Sequence, residues 1–393
     1  MGVTAGSRGW FALGLVLLAG VGAGAGRAQA QEPVGTWTLM AYLRTAGGLG
    51  ETAAGYLEQW QASLTVPGVR VAAQVEEGGV GGGARRVLLD CTGRHEAGRV
   101  PGGDPDSPDA VADFLRWGAG AAPAQQYLLV VLAHGPVPGQ EAAGGPAGLV
   151  RLASIAEALR RWEEPQLEIL FLDRCFSGTA PQAAGFVGLA RYLVAPPGQL
   201  YEPGLPWGRI LATLQDHPQM TGRSVARVAL QETRRAWRGP AELTVGLVGM
   251  ELDQMPGVTQ ALQQLAQVGT PRMGHLAALL TLARSLSARW GAVPLVDLEA
   301  FGETLAGLTS SPEVAQAARE LSAAAQRATL GAWAQEGAEA TPSSRGMTLE
   351  FPTRGGAAGE APEGWEVWRG FCAAYLESLA AAGADQESGA SVA

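Results

Sequence analysis

Short apolar runs alternate with segments of helical spacing through the first half of the chain. The apolar runs predict strands, at residues 37–43, 69–75, 86–90, 127–133, 167–172 and 193–195. The run at 127–133 is apolar throughout, which is typical of a parallel strand covered on both faces. Helical spacing recurs between the runs, for example at 56–64 and 152–162. This alternation predicts right-handed crossovers and an α/β fold with a mostly parallel central sheet.

The pattern changes beyond about residue 207. Long segments rich in Ala, Leu, Gln and Arg predict helices, such as 224–237 and 258–268, with one later strand at 347–351. We therefore expect a core of residues 31–207, a mainly helical C-terminal region of residues 208–381, and a disordered small and polar tail at 382–393.

The first thirty residues have the three parts of a secretory signal peptide. Arg8 precedes an apolar run at 10–19, and the small-residue stretch ends in Ala28-Gln29-Ala30. The apolar run is shorter than the roughly 20 residues of a membrane span, although a retained N-terminal membrane helix is the alternative. We expect cleavage before Gln31, a secreted or periplasmic protein, and no stable membrane span afterwards.

Composition narrows the class of partner. The chain has 393 residues, of which 47% are hydrophobic, so it can bury a large core. Its 37 acidic and 28 basic residues give a net charge of −9, and the basic residues form no stripe, which argues against a nucleic-acid partner.

The three cysteines are Cys91, Cys175 and Cys372. In an exported protein an odd number leaves one thiol unpaired. Pairing of Cys91 with Cys372 and two buried, reduced thiols are both open readings.

Cys175 and His134 carry the candidate chemistry. Both follow predicted strands directly, and ligands gather beyond the carboxyl ends of strands in such sheets. A thiol attacks a carbonyl only as the thiolate, so it needs a base, and we expect a helix after Cys175 to lower its pKa. Backbone N–H groups of Gly135 and Cys175 are candidates for an oxyanion hole. The alternative is that Cys175 is a buried structural thiol.

Several segments resemble the clostripain family of cysteine peptidases, which is related to metacaspases, legumain and gingipains. Phe171-Leu-Asp-Arg-Cys-Phe-Ser-Gly-Thr179 resembles the nucleophile motif, and Leu132-Ala-His-Gly135 resembles the His-Gly motif. Further resemblances lie, in family order, at 37–42, 113–118, 191–195, 246–253, 296–301 and 346–352.

The resemblance implies a caspase-like three-layer α/β/α fold, a Cys-His dyad, and endopeptidase cleavage of peptide or protein substrates with Arg or Lys at P1. It implies that Asp173 helps to line the pocket for the basic side chain; the alternative is that Asp173 caps the following helix. A calcium requirement is left open, and no other cofactor is expected.

The chain departs from the family at 196–202, where the usual carboxylates are missing and Glu202 is the only local substitute for substrate binding. The loop after His134 is also shortened. These departures support the alternative of a catalytically inactive binding or scaffold protein with the same fold.

Relatives with this motif often cut themselves between the His and the Cys. Arg151 is the best-placed candidate for self-cleavage here, unless it simply begins a helix. The remaining histidines, His95, His217 and His275, lack metal-ligand spacing, and no metal site is predicted.

Overall fold

A nine-stranded mixed sheet organises the described part of the chain. The computed structural model describes residues 35–77, 82–136, 148–164, 166–201, 204–240, 243–287, 290, 295–335, 346–352 and 364–390, with backbone alone at 383–390. The strands are β1 Gly35–Leu43, β2 Val69–Glu76, β3 Ala84–Asp90, β4 Gly93–Val100, β5 Ala124–Leu132, β6 Leu167–Asp173, β7 Ala190–Ala195, β8 Val245–Glu251, β9 Leu295–Asp297, β10 Thr329–Gln335 and β11 Thr348–Glu350. Nine of these form the sheet in the order β10-β8-β7-β6-β5-β1-β2-β3-β4.

The centre of the sheet is parallel. β2, β1, β5, β6 and β7 run in the same direction, and antiparallel pairs extend the sheet at both edges. Successive residues of β5 enter different cores: Leu128 and Val130 pack on one face, and Leu129 and Val131 on the other. This two-sided burial explains why the strand is apolar throughout.

Helices cover both faces of the sheet. They are α1 Gly50–Ser63, α2 Pro108–Ala121, α3 Leu152–Arg160, α4 Ala180–Ala184, α5 Trp207–Asp216, α6 Gly222–Ala236, α7 Met255–Gly269, α8 Met273–Leu286, α9 Leu298–Leu308, α10 Pro312–Ala328 and α11 Glu366–Ala390. The apolar residues of α1, α5 and α6 share one core, and those of α2, α3 and the C-terminal helices share the other. The predicted α/β/α layering is therefore confirmed.

The C-terminal region is less purely helical than the sequence predicts. β8 and β10 extend the central sheet beyond β7, and β9 pairs with β11 in a small separate sheet. The described residues from 35 onward belong to one compact unit, and the sheet continues across the expected boundary at residue 207. Because the sheet crosses that boundary, the second half is needed to complete the first.

Two other expectations differ from the structure. β4 was not predicted, since it is an edge strand that faces solvent and carries no apolar alternation. The backbone of α11 continues to Ala390, where the sequence predicts a disordered tail from residue 382. Within the described residues, the length and apolar character needed to cross a membrane occur together in no helix.

Candidate functional site

The ends of β5 and β6 bring His134 and Cys175 together. Leu132 pairs with Asp173 in the parallel register, and each candidate residue follows its strand by two positions. The Ala133 N–H donates to the Asp173 carbonyl at 3.3 Å, which extends the pairing past the strand ends. The two residues therefore follow neighbouring strand ends, and their action as a pair stays a prediction.

Gly135 lies directly against the backbone of Cys175. A Cβ added at Gly135 would stand 2.0 Å from the Cys175 carbonyl oxygen and 3.1 Å from its nitrogen. Only glycine fits such an approach. Among the described residues no backbone carbonyl outside the helices and strands accepts from the Gly135 or Cys175 N–H, and the Cys175 N–H faces its own Sγ, so both groups remain candidate oxyanion donors.

The imidazole of His134 is oriented by a backbone carbonyl that sequence reasoning missed. Its Nε2 lies 3.0 Å from the carbonyl oxygen of Gly47, in the turn after β1. A carbonyl oxygen only accepts, so Nε2 carries the hydrogen and, in the neutral ring, Nδ1 is the basic nitrogen. The His134 N–H donates to the Gly148 carbonyl at 3.2 Å, which fixes the backbone as well.

The thiol of Cys175 is half-buried and contacts the backbone of Leu200. The Leu200 N–H donates to Sγ at 3.4 Å, and the S–H faces the Leu200 carbonyl oxygen at 3.7 Å. Burial raises the pKa of Cys175, although the Leu200 N–H opposes that rise. The expected lowering by a following helix was wrong: α4 begins only at Ala180 and has five residues. The thiol therefore needs a base to become nucleophilic.

The turn after the thiol has an unusual backbone. Phe176 has a φ of +56°, in the left-handed region that a bulky side chain rarely adopts. Its N–H donates to the Gly198 carbonyl at 2.7 Å, and the N–H groups of Ser177 and Gly178 both donate to Pro196. The segment 196–198, where the sequence departs from the family, thus holds the nucleophile turn in its strained form.

The solved structures with a similar fold decide the architecture. A secreted C11 cysteine protease from Bacteroides thetaiotaomicron, "iotapain", superposes with a TM-score of 0.61 at 12% sequence identity, over 81% of this chain and 92% of that one. The fold is that of the C11 cysteine proteases. The caspase-like architecture implied by the clostripain resemblance is therefore confirmed.

Two further C11 structures show the same fold. One is a secreted C11 cysteine protease of B. thetaiotaomicron in complex with an irreversible peptide inhibitor, with a TM-score of 0.60, 12% identity, and coverage of 88% of this chain and 99% of that one. The other is an inactive zymogen C11 protease from Parabacteroides distasonis, with a TM-score of 0.60, 13% identity, and coverage of 88% and 96%. No protein-family model and no curated protein matches the sequence.

Asp173 is the last residue of β6 and is buried. Its side chain is 2% exposed and accepts a hydrogen bond from the Tyr56 hydroxyl at 2.5 Å. The Leu205 N–H donates in turn to that hydroxyl at 2.8 Å. Burial raises the pKa of Asp173 to about 6. Asp173 does not cap the following helix, because Thr179 occupies that position and accepts from the Gln182 N–H.

Arg151 begins α3 in the C11 fold. Its N–H donates to Asp106 Oδ1 at 2.6 Å, and its guanidinium meets the same carboxylate at 2.9 Å. The helix start was one of the two readings of Arg151; self-cleavage there stays a prediction, and it would require release from Asp106. Glu202 lies outside the described residues.

The remaining thiols are not joined. Cys91 and Cys372 are both free, and of the two buried, reduced thiols expected as the alternative to a disulfide only Cys372 is buried, whereas Cys91 is half-buried. Burial raises the pKa of Cys372 to about 12. Among the described residues no group of three His, Cys, Asp or Glu side chains is arranged to hold a metal ion.

Proposed function

We propose that this protein is an exported cysteine endopeptidase that works through a dyad of His134 and Cys175. The observation that carries the proposal is the meeting of these residues at adjacent strand ends, with Gly135 packed against the Cys175 backbone. An imidazole with a basic Nδ1, a thiol and two backbone N–H groups are the parts that acyl transfer needs. The similar fold of secreted C11 cysteine proteases and the predicted signal peptide support the same conclusion.

The reaction follows from the geometry of the two side chains. His134 Nδ1 takes the proton of Cys175, and the thiolate attacks the substrate carbonyl carbon. The N–H groups of Gly135 and Cys175 stabilise the resulting oxyanion. His134 then gives its proton to the leaving amine, and water hydrolyses the thioester. Among the described residues no hydrogen bond joins the two side chains: His134 Nε2 faces the Gly47 carbonyl and Cys175 Sγ faces Leu200. Catalytic hydrogen bonds of this kind often form only in the complex with substrate.

The proposed P1 preference for Arg or Lys depends on Asp173. An incoming guanidinium would form a charge-assisted hydrogen bond with this carboxylate. The Tyr56 hydroxyl now occupies one of its oxygens, and the Leu205 N–H holds that hydroxyl in place. Binding of a basic side chain therefore requires displacement of the 204–205 segment or approach to the second oxygen. A role for Glu202 and a calcium requirement are further proposals from the family resemblance.

Fluorogenic peptides test the function directly. The wild-type protein should release fluorophore from substrates with Arg or Lys at P1 at least about tenfold faster than from those with Ala or Asp, since a charge-assisted bond contributes roughly 1.5–3 kcal/mol. Asp173→Asn should lose that preference, because the amide cannot neutralise a cation. Cys175→Ala serves as the blank.

The outcomes separate the alternatives. If neither the wild type nor Cys175→Ala releases fluorophore, an inactive scaffold is supported. A preference for Arg or Lys that is retained in Asp173→Asn would remove Asp173 from the pocket.

Thermal melting controls for the folding of Asp173→Asn. The pKa of Asp173 is raised from 3.8 to about 6, so its contribution to stability is lost as the pH rises through about 6. The melting temperature of Asp173→Asn should lack that part of the decline between about pH 4 and 7.

A further inference from the structure

A buried ion pair stands at the carboxyl ends of β1 and β2, outside the dyad. Arg44 Nε lies 2.9 Å from Glu76 Oε2, and both side chains are 8% exposed. Burying two charges costs several kcal/mol of desolvation each, so such a pair is weak evidence of stability by itself. Its other hydrogen bonds indicate what it does.

Glu76 holds the turn that orients the His134 ring. Its Oε2 accepts the Thr45 N–H at 3.1 Å, and its backbone carbonyl accepts the Thr45 hydroxyl at 3.0 Å. The next residues form the turn Ala46–Gly48, in which Gly47 has a φ of +76°. The Gly47 carbonyl oxygen of this turn faces Nε2 of His134. The Glu76 carboxylate is thus connected to the His134 imidazole through the backbone of residues 45–47.

Arg44 holds the segment that pairs with the His134 backbone. Its Nη1 donates to the Leu149 carbonyl at 2.8 Å, and Leu149 forms a parallel bridge with His134. The neighbouring Gly148 accepts the His134 N–H, and a Cβ added there would stand 2.5 Å from the Ala46 carbonyl oxygen. The ring and the backbone of His134 are therefore both connected to the same ion pair.

We propose that Arg44 and Glu76 are a positioning pair for the general base, which hold His134 with Nε2–H on the Gly47 carbonyl and Nδ1 turned to the thiol. The proposal rests on the proposed function, because it assigns these residues to the same reaction. Loss of the pair releases the turn and the 148–149 segment together, so the imidazole loses its fixed tautomer and orientation. Neither residue touches the reacting atoms.

The test uses site-resolved alkylation together with turnover. Glu76→Gln keeps the side-chain shape but breaks the ion pair, so kcat should fall about tenfold or more with a small change in KM, since a positioned general base contributes roughly 100- to 10,000-fold. Iodoacetamide should modify Cys175 correspondingly more slowly near neutral pH, with the rise in rate shifted to higher pH. Cys91 is the internal control in the same mass spectrum and should react at an unchanged rate.

Two variants keep the test decisive. Arg44→Met combined with Glu76→Leu replaces the pair with apolar side chains, an exchange that is often neutral for stability, and should show the same loss. Glu168→Gln breaks the Arg191–Glu168 pair at the far end of β6 and should leave kcat and Cys175 alkylation unchanged.

Different results would overturn the positioning role and the proposed function. If the double variant folds, and its turnover and Cys175 alkylation rates equal those of the wild type, the positioning role alone would be overturned. A wild type without peptidase activity, in which Cys175 alkylation still depends on His134 and Glu76, would overturn the proposed function and leave the positioning role standing.

Discussion

Gly135→Ala is expected to cause a severe loss of peptide hydrolysis. The new methyl carbon would stand 2.0 Å from the Cys175 carbonyl oxygen and 2.8 Å from its carbonyl carbon, far inside van der Waals contact. Because both contacts are with backbone, no side-chain rotation relieves them, and β5 and β6 must separate at the site. We expect kcat/KM to fall by about 100-fold or more, as a displacement of about 1 Å does at an active site, with a lower melting temperature from overpacking of about 1–3 kcal/mol.

Gly120→Ala is the matched control. It also adds a methyl group to a glycine, but in α2, where a Cβ meets no atom within 4 Å. It should leave kcat/KM unchanged and raise stability slightly, since alanine is favoured over glycine in a helix. Gly135→Ala with the turnover of the wild type would show that the close approach of the two strand ends has no catalytic importance.

His134→Ala is expected to reduce kcat by roughly 100- to 10,000-fold, the range that general acid–base catalysis supplies. Burial raises the pKa of Cys175, so without a base the thiolate is scarce at neutral pH. The loss should shrink as the pH rises toward the pKa of the thiol, because hydroxide then supplies the thiolate. The measurement is the pH dependence of kcat for the wild type and the variant.

His217→Ala controls for the removal of an imidazole, since His217 is an exposed residue at the end of α5. It should keep the wild-type profile. A His134→Ala enzyme that hydrolyses peptides within about twofold of the wild type would exclude His134 as the base, because even a modest general base contributes roughly 100-fold.

Elements that bury apolar residues could be predicted from the sequence. β5 and β6 are covered on both faces, so their residues are almost all apolar, and this composition predicts buried strands. β4 presents Arg94, His95 and Glu96 to solvent and leaves no such signal. β8 is interrupted by Gly246 and Gly249, which lie close to Trp290 and Leu230. Its place in the sheet depends on pairing with β7 and β10, which are distant in sequence.

The candidate site also has parts that the sequence can propose and parts that only the fold determines. The sequence proposes His134, Gly135 and Cys175 as site residues, because their side chains, or the lack of one, carry the chemistry. The Gly47 carbonyl and the Leu200 backbone could not, since every residue has these groups and only the fold selects which of them face the dyad. The burial of Asp173 and its hydrogen bond with Tyr56 could not be predicted from the sequence either.

Tyr56 illustrates why. It lies 117 positions before Asp173 in sequence, and its hydroxyl reaches the carboxylate only because α1 packs on that face of the sheet. No local pattern around Asp173 signals such a partner. For the same reason, the raised pKa of Asp173 follows from tertiary burial and not from the nucleophile motif.

The most direct measurement of the dyad is covalent trapping by a peptide reagent. An arginyl peptide with an acyloxymethyl ketone should add once to the native protein, and peptide mapping should place the adduct on Cys175. His134→Ala should react far more slowly, and the thiol of Cys91 should remain free in the same sample. An adduct that forms equally on both thiols, or forms on Cys175 at the same rate without His134, would contradict a cysteine nucleophile activated by this imidazole.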